Sequence, residues 1–127
     1  VMASATSTTA NAAITTLADL TGMSATFTAV SGRQYKVSVS LSLNASVEGQ
    51  LASVYVRTGG GTSLVGRPFY VTEASTSYEF SYWFLWTGTG STTLKVSLER
   101  TTGSGTVGTG NTGSSPGYLL IEDIGEV

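Results

Sequence analysis

The chain has 127 residues, six basic and eight acidic side chains for a net charge of -2, 16 glycines, no cysteine and no histidine. Its length suits one domain with a sizeable core, and the two missing residue types exclude disulfides, thiolate zinc sites, Ser-His-Asp relays and the commonest general base and metal ligand. Arg33, Lys36, Arg57, Arg67, Lys95 and Arg100 form no basic cluster and no apolar run approaches the roughly 20 residues of a membrane-spanning helix, so neither a nucleic-acid nor a membrane partner is expected.

Ser and Thr make up roughly three residues in ten, and apolar residues alternate instead of recurring at helical spacing. The opening "VMASATSTTANA" has few large apolar groups and reads as an extended arm, residues 1–12, before a single domain over 13–127. It has no charged-then-apolar signal pattern, and is expected to start a processed product or the ordered part of something longer. Strands are predicted near 13–20 and 23–30, with a Ser31-Gly32 turn before the next. That next strand, 33–44, is the clearest: Tyr35, Val37, Val39, Leu41 and Leu43 share one face, and Lys36, Ser38, Ser40 and Ser42 the other.

Gly59-Gly60-Gly61 separates strands predicted near 50–57 and 64–72, and Gly88 with Gly90 separates 77–87 from 92–101. A closing strand spans 118–124, where Leu120 or Ile121 is expected to face the core. Eight such strands point to an all-β, antiparallel two-sheet sandwich, an eight-stranded jelly roll.

The strand "YEFSYWFLWTG" breaks the clean alternation. Tyr78, Phe80, Tyr82, Phe84 and Trp86 form one face, while the other begins with Glu79 and Ser81 and continues with Trp83 and Leu85. A two-layer sandwich has nothing of its own to cover that second face, so Trp83 and Leu85 are expected in an oligomer interface. Stacking of a sugar ring on Trp83 is the alternative.

Gly103, Gly105 and Gly108 match the G-x-G-x-x-G spacing of a dinucleotide turn. A strand enters them, but the residues after them, Thr109 to Gly117, have poor helix propensity, so no helix dipole faces a phosphate. The segment reads as a flexible surface loop that tolerates shortening over 106–113. Glu73 and Glu79 flank one turn and are the only candidates for an acid–base pair; as solvated strand-end charges they would carry no chemistry. Glu122 and Asp123 are adjacent in a strand, point to opposite faces and make a poor cation site. No catalytic residue, metal or cofactor is expected.

Two blocks, "FTAVSGRQYKVSVSLSL" and "TTGSGTVGTGNTGSSPGYLLIEDIG", resemble small structural proteins of tailed bacteriophages that infect actinobacteria, the minor tail and head-decoration proteins. In that group a "TFTAVSGRTYKV"-like strand pair comes early, and a glycine- and serine-rich loop leads to a closing strand resembling "SPTYLLVEDIG". The likeness spans about residues 25–125; the group often has an additional amino-terminal attachment segment, where this chain has only its Ser/Thr arm. The resemblance implies a non-enzymatic virion protein on the particle surface, as capsid decoration, head fibre or minor tail protein. Its partners would be itself, as a trimer of the tumour-necrosis-factor and C1q type, and a capsid or tail protein. Ser4, Thr6, Thr8 and Thr9 of the arm are the candidate attachment residues. The alternative function is a module that adheres to host-surface carbohydrate.

Overall fold

A computed structural model describes residues 1–127. Nine strands build it: β1 Ala3–Ser7, β2 Ala18–Ala29, β3 Arg33–Ala45, β4 Gln50–Thr58, β5 Ser63–Val71, β6 Tyr78–Trp86, β7 Gly90–Thr102, β8 Val107–Thr109 and β9 Gly117–Glu126. One sheet (sheet A) has the order β1-β9-β3-β6, with β8 on β3 in line with β9; the other (sheet B) is β2-β7-β4-β5. All pairings are antiparallel.

The pairings β1–β9, β2–β7, β3–β6 and β4–β5 describe one long two-stranded ribbon whose tip is the β4–β5 hairpin. Rolling that ribbon adds β3–β9 and β4–β7 and divides it into two sheets. This is the jelly roll, with β8 an extra short strand. Alternation decides which side faces inward: Tyr35, Val37, Val39, Leu41 and Leu43 of β3 pack in the core against Val54 and Val56 of β4 and Leu94, Val96 and Leu98 of β7. Phe27, Tyr35 and Trp86 close one end, with ring centroids 5.3–6.0 Å apart.

Three expectations need correction. Residues 1–12 are not an arm set apart from the domain: Ala3–Ser7 pairs with β9 as β1, Ala3 and Ala5 lie half-buried and Ser7 is buried. Small side chains suffice there because the main chain makes the attachment. The strand predicted near 13–20 does not form; Ile14 makes a single bridge to Val107, and Ala18–Leu20 belongs to β2. Thr21-Gly22 is a bulge inside β2, with Gly22 at φ +77°, so Leu20 and Met23 both face the core. Ser31-Gly32 turns the chain as expected, and carries it from one sheet to the other, since β2 and β3 do not pair.

Candidate functional site

The outer faces of the two sheets differ. On sheet B, Asp19 accepts from Lys95 Nζ at 2.8 Å, Ser97 Oγ at 2.7 Å and Arg57 at 3.3 Å, and the Tyr55 hydroxyl donates to Glu99 at 3.1 Å. The hydrogen bonds from Lys95 and Ser97 hold the Asp19 carboxyl below its ordinary range, against a small opposing effect of burial. Most polar groups of this face are thus paired with one another, although Arg57 Nε is buried without a partner.

The outer face of sheet A is poor in charge. Register places Leu120, Ser38 and Trp83 in one row, Tyr118, Ser40 and Ser81 in the next, and Glu122, Lys36 and Leu85 in a third. An open groove of about 670 Å³ runs over Ser38, Ser40 and Ser81, walled by Trp83, Tyr118 and Leu120. Trp83 is 57% exposed and Leu85 47%. The Lys36 ammonium sits 5.1 Å from the Trp83 ring centre.

The strand that carries Trp83 and Leu85 is an edge, and its inward row is incompletely covered too. Tyr78, Phe80, Tyr82 and Trp86 are half-buried; Phe69 of β5 packs on Tyr78 and Phe80 at 5.5 and 5.4 Å between centroids. The Tyr82 hydroxyl donates to the Val54 carbonyl at 3.1 Å, and burial raises its ionisation well above the usual tyrosine range despite Arg67 over its ring.

The other sequence candidates lie elsewhere and form no joint site. Glu73 and Glu79 are both exposed; Thr76 reaches the first and Ser115 the second, each at 3.4 Å. Asp123 is held by a two-point contact from Arg33, 2.8 Å at its closest, and by the Gly125 N–H at 3.0 Å, which lowers its carboxyl below the ordinary range. Ser4, Thr6, Thr8 and Thr9 are exposed, the first two on β1 and the others just beyond it.

Gly103, Gly105 and Gly108 are not a flexible loop. Gly103, at φ +121°, lies against the buried Gln50 side chain; Gly105 lies against Ser46 and Val47, and Gly108 against the Asn11 carbonyl. Gly108 lies within β8, whose Val107 is in the core. The glycines are close-approach positions in a packed crossing, so neither nucleotide binding nor tolerance to shortening follows from them.

No family model matches the chain, and no curated protein matches it. Among solved structures it is similar to the infectious bursal disease virus VP2 subviral particle, at 14% identity and a TM-score of 0.50 over 98% of this chain and 37% of that one. A structure of the Gx strain of that virus aligns at 16% identity and a TM-score of 0.47, over 89% of this chain and 28% of that one. A CBM4 structure aligns at 11% identity and a TM-score of 0.43, over 94% of each chain. The chain therefore spans about a third of the virus chains it resembles. At such identity the VP2 likeness speaks for the fold alone, and it agrees with the strand order: this is an antiparallel jelly-roll sandwich.

Proposed function

We propose that this chain is a non-enzymatic structural protein of a bacteriophage particle, displayed on the virion surface as capsid decoration, head fibre or minor tail protein, and that it self-associates through β6. The observation that carries the reading is the uncovered Trp83 and Leu85 on the outer side of an edge strand whose inner side is also half-open. The two blocks that resemble phage structural proteins supply the particle context. Ser4 and Thr6 on β1, with Thr8 and Thr9, form an exposed hydroxyl stripe suited to contact a capsid or tail protein.

Light scattering on the purified chain tests self-association. The expected mass is a multiple of 13.1 kDa, and Trp83→Glu is expected to shift it toward the monomer, because it removes the large apolar side chain from the self-associating strand and puts a charge on its edge. A monomeric wild type at every concentration overturns the reading. A trimer is the count that the phage resemblance implies, and the same measurement tests it. Attachment is tested by Thr6→Lys with Thr8→Lys, expected to lower occupancy on the particle while the fold is retained.

A second reading, adhesion to host-surface carbohydrate, is favoured by the hydroxyl floor of Ser38, Ser40 and Ser81 between Trp83 and Tyr118, which offers ring stacking and hydrogen bonding together. A glycan array on wild type and Trp83→Ala tests it. Absence of binding by the wild type removes it.

A further inference from the structure

The two sheets have four edges, and three are blunted. β1 is five residues long; β2 is bulged at Gly22 and capped there by Ser7, whose hydroxyl donates to the Thr21 carbonyl at 2.6 Å, and by Asn11; β5 carries Gly66, Arg67 and Pro68 in its middle. β6 has none of these devices. It is nine residues long, pairs with β3 without a register shift, and contains no proline, glycine, lysine or arginine.

Its free backbone groups can be assigned. Ser42 of β3 directs its N–H to Asn111 and its carbonyl to the Gly110 N–H, so the even-numbered residues of β3 face β8 and β9. The odd-numbered residues of β3 therefore face β6, where they pair with Tyr78, Phe80, Tyr82, Phe84 and Trp86. The N–H and carbonyl groups of Glu79, Ser81, Trp83 and Leu85 are left pointing away from the sheet.

Resting on the self-association reading above, we infer that β6 pairs antiparallel with β6 of a second copy, about a two-fold axis at Tyr82, so that sheet A continues across both chains. The strand fits its own reverse. About Tyr82, Tyr78 meets Trp86, Phe80 meets Phe84 and Tyr82 meets itself, so aromatic pairs with aromatic along the inner row, in which all but the buried Phe84 are half-buried. On the outer side Trp83 meets Ser81 of the second copy, large beside small, and Glu79 meets Leu85. Lys36 lies next to Leu85 in register, so the pairing brings Glu79 of one chain onto the row of Lys36 of the other, opposite charges on one row. All four residues with free backbone groups become hydrogen-bonded partners: Glu79 with Leu85, and Ser81 with Trp83. Arg67 and Pro68 keep the neighbouring β5 edge from pairing in the same way. The groove floor, Ser40 and Ser81 of one chain, then runs on to Trp83 and Ser38 of the other.

Ser81→Pro tests this, because it removes one of the free N–H groups while the N–H groups that bond β3 belong to other residues. By light scattering the wild type is expected at twice the chain mass, with Ser81→Pro shifted to monomer, its dissociation constant up at least about tenfold, and Ser81→Ala unchanged. Far-ultraviolet circular dichroism is expected to be equal for all three. A second measurement does not depend on how well the proline variant folds. The chain has no native cysteine, and positions 79 and 85 lie roughly 20 Å apart along one strand, too far for an internal disulfide. The double variant Glu79→Cys, Leu85→Cys is expected to form covalent dimers on mild oxidation. A wild-type trimer, or a folded Ser81→Pro variant that stays dimeric, overturns the edge pairing and leaves self-association standing; a wild-type monomer overturns both.

Discussion

Gly108 has backbone on its open side: a Cβ there would lie 2.5 Å from the Asn11 carbonyl oxygen and 3.2 Å from the Ala12 Cα. Neither atom can swing aside as a side chain can. Gly108→Ala is expected to destabilise by about 1–3 kcal/mol in urea denaturation, while Gly113→Ala, with nothing within 4 Å, is expected to be neutral. Equal midpoints for the two would remove the close-packing account. The sequence shows these glycines but not their cause, because the neighbours lie far away in the chain, at Asn11, Ser46 and Gln50. The closing strand is more legible. Alternation allows either Leu120 or Ile121 to face inward, and the register resolves it: Ile121 is fully buried and Leu120 stands on the groove side. Ile121→Ala is expected to cost about 2–5 kcal/mol, and Leu120→Ala under about 1 kcal/mol. For Trp83 and Leu85 the exposed face follows from position alone, since inward and outward side chains alternate along β6 even where both faces are apolar.

β3, β4, β5, β6, β7 and β9 are legible as elements because each presents an apolar face along most of its length. β1 and β8 are not. β1 is held by main-chain bonds to β9 and by alanines, and β8 has only three residues, whose place is set by Ile14, Asn11 and the end of β3. Deleting 106–113 removes Val107 from the core and the partners of Ser46, Ile14 and Asn11, so the variant is expected to lose its cooperative thermal transition in place of the small loss the loop reading implies. Deleting residues 1–7 acts differently. It uncovers the edge of β9 and frees the Thr21 carbonyl from Ser7, yet leaves the core strands paired. That variant is expected to fold with stability lower by about 1–3 kcal/mol and to aggregate more readily through the new edge. Unchanged calorimetry would place β1 outside the cooperative unit.

Across the whole molecule, electrostatics and topology set how stability and folding respond. Asp19 and Asp123 have carboxyls lowered by their partners in the fold. Carboxyls of this kind contribute stability that is complete above the unfolded value of about 3.9 and is lost as pH falls through the folded value. Both are partly exposed, which keeps the contribution small. The thermal midpoint is therefore expected to fall below about pH 4 as these two carboxyls take up protons. Asp19→Asn with Asp123→Asn should flatten the acid limb, and an unaltered limb would assign it to other groups. Topology governs the rate of folding. The ribbon pairs β1 with β9, and β9, the last of the nine strands in chain order, lies between β1 and β3. Only the β4–β5 pairing is local; the others close long stretches of chain before any contact compensates for the lost entropy. Refolding from urea is therefore expected on the slow side for this size, milliseconds to seconds. Truncation before Gly117 should abolish folding, because it strips β3 of its central partner and takes Leu119 and Ile121 out of the core. Stopped-flow fluorescence of Trp83 and Trp86 reads the first expectation and circular dichroism the second. A truncated chain that retains a cooperative β-sheet transition would show that the roll forms from its hairpin tip without its closing strand.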